Sequence, residues 1–310
     1  MALRSTRQVP NVYFGIPGKL VTLPWPASGM DKPYDRQTSD FLTGSGMHQT
    51  STLVLGSRPY EIAWDALHID NFIKLSQFRI GVNGAGPFVL IDPSSPNLLD
   101  ANVSAPTAVT GFTSQSFISV SGANGTITHN SNSAFVHRSL GWASLKWAWS
   151  VTPATTPQLF VQSPSRAWYS YPCVPTLSYA FSSWVTVDGT VETNATVAVK
   201  INWLNASGGV ISTSAGSATA VTGWTKLSVI GTAPAGAVYM QPFWELTGST
   251  MVSGGALYID EVMLEQDTVV NDWAPGTGIK PVEILGLSEK VPFDTRFRTN
   301  VTLSLRELAP

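Results

Sequence analysis

A chain of 310 residues and 33.2 kDa has room for one large core or two ordinary domains. Charged residues make up 12% of it, against about 25% in an average globular protein, and 26 Gly and 21 Pro divide it into short pieces. So few Lys and Glu argue against a mainly helical protein, and a net charge of -2 argues against binding nucleic acid as the main task.

The opening MALRSTRQVP carries basic residues with no apolar stretch behind them, so no secretory signal is read there. Nor does any run of about 18 apolar residues occur, the length a membrane-spanning helix needs. Residues 19–25 then alternate, with Val21, Leu23 and Trp25 on one face. Leu53 and Leu55 form a short alternation, and the stretch from Pro24 to Thr50 is long enough for an intersubunit arm. YEIAW sends Tyr60, Ile62 and Trp64 inward. The period changes at 70–79, where Phe72, Leu75 and Phe78 share one side of a helix, Asp70 can cap it and Ile69 can staple against Ile73. A strand, PFVLID, follows the GVNGAG run.

Residues 97–279 read as β-sandwich throughout. FISVSG, GTITHN, SAFVHRS, SLKWAWS, VAVKINW, WTKLSVIG, AVYMQPFWEL and GGALYIDEVMLE are short strands punctuated by turns about every ten residues. About eight or more strands fit a jelly roll better than a seven-stranded immunoglobulin unit. The chain closes on residues 282–287 and on a long alternation in which Phe297, Thr299, Val301, Leu303 and Leu305 share a face. Two terminal strands are not stable alone, so the sheet of residues 1–96 is their expected host.

Charge supports that division. Residues 1–96 carry 15 charged side chains, 97–279 carry 14 and the last 31 carry 9, so the longest region is the poorest in charge. The expectation is one domain from 1–96 and 280–310, with 97–279 inserted as a second.

No catalytic set is evident. His48, His68, His129 and His137 never fall at a metal-ligand spacing, and the lone Cys173 has no cysteine partner, which suits synthesis in a reducing compartment. Glycosidases work with paired carboxylates, which makes Glu192 and Glu245, or Asp260 with Glu261 and Glu265, the residues to weigh for that chemistry. Asp260 interrupts an apolar alternation. It is either a carboxylate turned inward and held by a partner or a structural calcium, or part of a bulge that turns it and Glu261 to water. Eight of the 11 Trp lie between positions 142 and 244. Trp147, Trp149, Trp203 and Trp244 are candidates either for the core or for a platform on which sugar rings stack.

The phrases NVYFGIPGKL, YEIAW and GVNGAGPFVLIDP, with a closing FRTNVTLSLREL whose Leu303, Leu305 and Glu307 form an LxLxE ending, resemble minor or distal tail proteins of long-tailed phages of actinobacteria. PNLLDANVSAP, GWTKLSVIGTAPAGAVYM and LYIDEVMLE resemble the carbohydrate-binding-module-like jelly rolls attached to such proteins. The resemblance implies an all-β chain: a tail-tube-like β-sandwich with one packed helix, carrying an inserted jelly roll. It implies a structural part of the virion tail tip, assembled in the host cytoplasm as a ring, six copies by analogy, against neighbouring tail-tube and tail-tip proteins. The jelly roll would be displayed outward to meet neighbouring proteins or, as the alternative reading, to adsorb to a host cell-wall glycan. In the jelly-roll family a structural calcium is held by an early acidic residue and an Asp of the last strand. Asp260 matches the later position, and Asp100 is the acidic residue near the earlier one.

Overall fold

In the computed structural model the described residues are 11–26, 29–31, 38–42, 48–52, 58–92, 95–105, 117–120, 125–137, 143–149, 156–162, 165, 167–188, 195–247, 253–276, 278–291 and 297–308, with the backbone path alone for 38–42, 48–52, 102, 117–120, 195 and 247. Leu53, Leu55, Trp142 and Glu192, and parts of the 24–50 stretch, lie outside them.

The first strands are β1 (Val12–Ile16), β2 (Lys19–Leu23), β3 (Met30–Asp31), β4 (Thr38–Leu42), β5 (His48–Thr52) and β6 (Pro59–His68). Helix α1 (Ile69–Arg79), β7 (Phe88–Ile91) and the single turn α2 (Ala101–Ser104) follow. Next come β8 (Phe117–Val120), β9 (Gly125–Asn130), β10 (Ser144–Trp149), β11 (Gln158–Val161), β12 (Tyr171–Pro172) and β13 (Ser178–Val187). The remainder are β14 (Ala195–Leu204), β15 (Val210–Ala215), β16 (Thr219–Val221), β17 (Thr225–Thr232), β18 (Tyr239–Thr247), β19 (Ala256–Glu265), β20 (Lys280–Lys290) and β21 (Arg298–Glu307). The architecture is all-β and mostly antiparallel, with one packed helix, and it divides into two compact units: Met1–Leu90 with Lys280–Pro310, and Ile91–Ile279.

In the first unit seven strands form one sheet in the order β2-β1-β7-β20-β21-β6-β3, and β4 pairs with β5 as a separate hairpin. The closing strand lies in the middle of the large sheet. Leu303 is opposite Ile62 on one side and Leu287 on the other, and Val301 is opposite Trp64. Its buried face carries Thr299, Val301, Leu303 and Leu305, whereas Phe297 is exposed. Helix α1 covers this face with Leu75 and Phe78, and Phe72 packs at the margin. Phe78 meets Phe14 edge-on at 5.9 Å and Phe88 at 5.7 Å. Each such buried ring contributes about 1.5–3 kcal/mol. A Cβ on Gly15 would sit 2.9 Å from the Phe78 ring and 2.5 Å from the Lys19 carbonyl, so the helix and β2 approach this closely only over a glycine.

Two local expectations are corrected here. The helix cap is His68, whose Nδ1 accepts from the Asp70 N–H, because β6 runs straight into the helix and the backbone breaks earlier. Ile73 is exposed, off the Phe72–Leu75–Phe78 side, and with the cap at His68 the staple positions move to Leu67 and Phe72. The alternation of β6 also breaks: Asp65 and Ala66 are both exposed between buried Trp64 and Leu67, and the register against β21 shifts there, as an extra residue requires.

The second unit is a sandwich of a five-stranded sheet, β17-β13-β19-β10-β9, and a seven-stranded one with the path β15-β14-β18-β11-β8, to which β12 and β16 are attached. Its core is aromatic. Phe181 of one sheet contacts Trp244 of the other at 5.2 Å, and Tyr179 contacts Trp203 at 6.0 Å. SAFVHRS contributes no strand within its described part: Ser133–Phe135 is a 3-10 turn, capped by the Asn132 side chain, and Val136 and His137 continue as extended backbone.

Candidate ligand-binding face

The core-facing residues of the seven-stranded sheet are settled by alternation and by contacts across the sandwich. Val197, Val199, Ile201 and Trp203 of β14 lie opposite Leu246, Trp244, Pro242 and Met240 of β18 and face inward. The intervening residues therefore share the outer face: Ala198, Lys200 and Asn202 from β14, Tyr239, Gln241, Phe243 and Glu245 from β18, and Gln158 and Phe160 from β11.

This outer face carries an ordered polar array. Gln158 Nε2 donates to Glu245 Oε2 at 2.8 Å, and Lys200 Nζ donates to Glu245 Oε1. Thr213 on β15 donates to Asn202 Oδ1 at 2.6 Å. Beside the array the Phe160 and Phe243 rings sit 4.8 Å apart and tilted by 31°, while Tyr239 meets Tyr169 edge-on at 5.8 Å. Gln158, Phe160, Lys200, Asn202, Gln241 and Glu245 are half-buried, and Tyr239 and Phe243 form the floor. Burial, and secondarily the neighbouring Tyr169, raises the Tyr239 phenol above its ordinary pKa. Fixed donors and acceptors next to apolar rings can bind a ligand with both hydroxyl groups and C–H faces.

The tryptophans named from sequence are elsewhere. Trp147, Trp149, Trp203 and Trp244 are all among the fully buried side chains. Trp203 donates to Ser214 Oγ at 2.9 Å and Trp244 to Ser183 Oγ at 2.8 Å, while Trp147 and Trp149 pack edge-on against each other at 5.9 Å. A buried indole offers no face to a sugar, so the platform role is withdrawn for these four and they stand as core.

Asp260 is also internal. The bulge is present, with Glu261 at φ 49° and the β13–β19 register shifting between Ser182 and Trp184, but it keeps both carboxylates buried instead of turning them to water. Asp260 Oδ2 accepts from the His137 N–H at 2.9 Å, and Oδ1 from the Glu261 N–H at 2.8 Å. Calcium takes six to eight oxygens. Here both Asp260 oxygens already accept backbone N–H donors, and among the described residues no three His, Cys, Asp or Glu are grouped to hold a metal. What the structure places at the Asp260 carboxylate is these two N–H donors among its partners. Asn97 instead ties this region together: its Nδ2 donates to the Val262 and Ala274 carbonyls, both at 2.9 Å, and its Oδ1 accepts from the Leu99 and Leu264 N–H groups, both at 3.1 Å.

The remaining candidates have structural surroundings. Glu265 is buried and accepts from the Asn271 N–H and side-chain amide. Glu261 lies 3.4 Å from His137 Nδ1. His68 caps a helix, His129 belongs to β9, and His48 belongs to β5. Cys173 is buried, which pushes its thiol up to about 12. Of the glycosidase candidates among the described residues, only Glu245 reaches the outer face of the sheet, and both its oxygens are engaged. The sequence signal for the rest of the face was the second half of each alternation: once Trp203 and Trp244 are core, Lys200, Asn202, Gln241 and Phe243 must share the other side.

No family model matches the chain, and no curated protein matches it. Among solved structures it is similar to the enzymatically active domain of bacteriophage CBA120 tailspike protein 4, at 13% identity and TM-score 0.41, over 56% of this chain and 22% of that one. It is similar to an arabinose-bound α-L-arabinofuranosidase at 16% identity and TM-score 0.42, over 56% of this chain and 27% of that one. A third likeness is to TmCBM61 in complex with β-1,4-galactotriose, at 13% identity and TM-score 0.34, over 56% of this chain and all of that one. They are similarities of strand arrangement only.

Proposed function

We propose that the second unit is a glycan-binding module whose site is the outer face of the seven-stranded sheet. The observation that carries this is the Gln158–Glu245–Lys200 array fixed beside the Phe160–Phe243 ring pair. Sugar hydroxyls exchange hydrogen bonds with such a set, while apolar sugar faces rest on rings. Hydrolysis is disfavoured by the engagement of Glu245: an acid–base pair needs a second carboxylate about 5–9.5 Å away and a protonatable oxygen. Affinity electrophoresis of the full chain through gels cast with soluble cell-wall polysaccharides tests the reading. Retardation that disappears in Lys200→Ala is expected. A wild-type chain unretarded by every polysaccharide would remove the proposal.

A structural role is proposed for the first unit, as part of a virion tail tip that brings the glycan-binding module to the host envelope. What favours it is exposed apolar surface on a small unit: Ile80, Val82, Leu285, Val291 and Phe297 all face solvent. In this reading copies of the chain, six by the sequence resemblance, assemble with neighbouring tail proteins. Mass photometry across a concentration series should reveal a discrete oligomer that Phe297→Asp weakens; a strict monomer at every concentration would contradict it.

A further inference from the structure

We infer that the outer face of the seven-stranded sheet takes an uncharged glycan in extended form, laid along β18, and that Tyr169 is the platform at one end of that path. The inference rests on the glycan-binding reading above and adds the class of glycan and a residue outside the strands.

Tyr169 is an exposed aromatic ring that is nonetheless held. Its relative exposure is 60%, yet it stands edge-on against Tyr239 and lies over Gly208. Gly208 has φ +82°, and a Cβ there would come within 2.7 Å of Tyr169 Cδ1 and 2.9 Å of Cγ, so the ring rests on bare backbone. The turn beneath is itself fixed, because Asn205 Oδ1 accepts from the Ser207 N–H, the Ser207 hydroxyl and the Gly209 N–H. An exposed ring tied down from two sides has little rotamer freedom left to lose when a ligand stacks on it.

The path follows from register. Tyr239, Gln241, Phe243 and Glu245 occupy alternate positions of one strand, a run of roughly 20 Å at about 3.4 Å per residue. Asn202 lies opposite Gln241, so amide donors and acceptors lie between the Tyr169–Tyr239 end and the Lys200–Glu245 end. A ligand touching both ends must be elongated.

Charge then selects the class. The seven strands of this sheet contain two charged residues, Lys200 and Glu245, and these are paired with each other. Among the described residues of this sheet a polyuronate or polyphosphate chain would meet one cation, already engaged, and a carboxylate beside it, so each acidic repeat would lose hydration without gaining a partner there. A neutral chain loses nothing by that pairing and uses the remaining donor and acceptor capacity.

The test is calorimetric titration of the full chain with β-1,4-linked neutral oligomers of xylose, glucose and N-acetylglucosamine, three and six residues long, beside hexagalacturonate. Expected is a neutral hexamer bound about tenfold more tightly than its trimer, with hexagalacturonate weaker than both. Tyr169→Ala should remove most of the hexamer's advantage and leave the trimer within about twofold, while Tyr169→Phe retains it. Equal loss for trimer and hexamer, no loss at all, or hexagalacturonate matching the neutral hexamer overturns the inference. Binding abolished by Lys200→Ala but unmoved by Tyr169→Ala removes this inference and leaves the parent reading standing; no binding of any oligomer removes both.

Discussion

The two outer faces of the sandwich are built differently. On the five-stranded sheet the chain covers itself: Phe135 stacks flat on Tyr258 at 4.1 Å, His137 stacks on Trp184 at 4.0 Å, and Asn97 and Ser104 fasten neighbouring segments, the latter accepting from the Gly276 N–H. On the seven-stranded sheet a row of polar side chains is left half-exposed. The hydrogen bonds differ in kind as well. Asp260 and Asn97 bond to backbone groups, which have no alternative partner once buried. Glu245 bonds to Lys200 and Gln158, side chains that can share or exchange those bonds with an arriving hydroxyl.

That contrast can be broken by mutation. Asn97→Ala leaves two N–H groups and two carbonyls without their amide partner and is expected to cost about 4 kcal/mol by chemical denaturation, with ligand retention unchanged wherever the protein is still folded. Asp260→Ala strips the His137 and Glu261 N–H groups and should cost about 3 kcal/mol; addition of calcium should leave the melting temperature of the wild type unmoved.

A pH titration sharpens the same distinction, because below about pH 10 it acts on a thiol of the core, ahead of the phenol of Tyr239 on the open face. The buried Cys173 thiol is held protonated up to about 12, whereas in the unfolded chain it ionises near about 8.5. The folded pKa is the higher one, so this stabilisation is complete below the unfolded value and is lost between there and 12, at about 1.4 kcal/mol per pH unit. Tyr171, raised first by burial and then by the charge of Asp100, adds loss of the same sign above about pH 10. Denaturation midpoints from pH 7 to 11 should fall, and in Cys173→Ala the fall should begin about 1.5 units later. At the small end, Lys200→Ala leaves the mostly buried Glu245 carboxylate with Gln158 as donor and should cost about 2 kcal/mol while abolishing polysaccharide retention. A large loss of stability there would mean that the array is structural after all.

Regular alternation made much of this legible. The inward face of β21 from Thr299 onward and the apolar side of α1 follow from spacing alone. Departures from the period did not. The extra residue at Asp65–Ala66 in β6 and Leu285 in β20 each shift the register by one, with nothing local to distinguish them. The bulge at Glu261 in β19 is signalled by the break in alternation, but not the side on which its carboxylates lie. Asp260 shows the consequence: read from β19 alone, its polarity suggested water or an ion, while the donor that holds it, the His137 N–H, is 123 residues away in sequence. Tyr169 was invisible for the same reason, since its support is a glycine turn 39 residues further on. Trp-rich composition drew attention to indoles, but a two-layer core takes large side chains first, and the smaller rings were left for the outside.

The most direct measurement of the central claim is a crystal structure of the full chain with a bound neutral oligosaccharide. The account predicts sugar density along β18, within hydrogen-bond distance of Glu245 or Lys200 and stacked on Tyr169. Density on the five-stranded face, or on the first unit with the outer face of β18 empty, would contradict it.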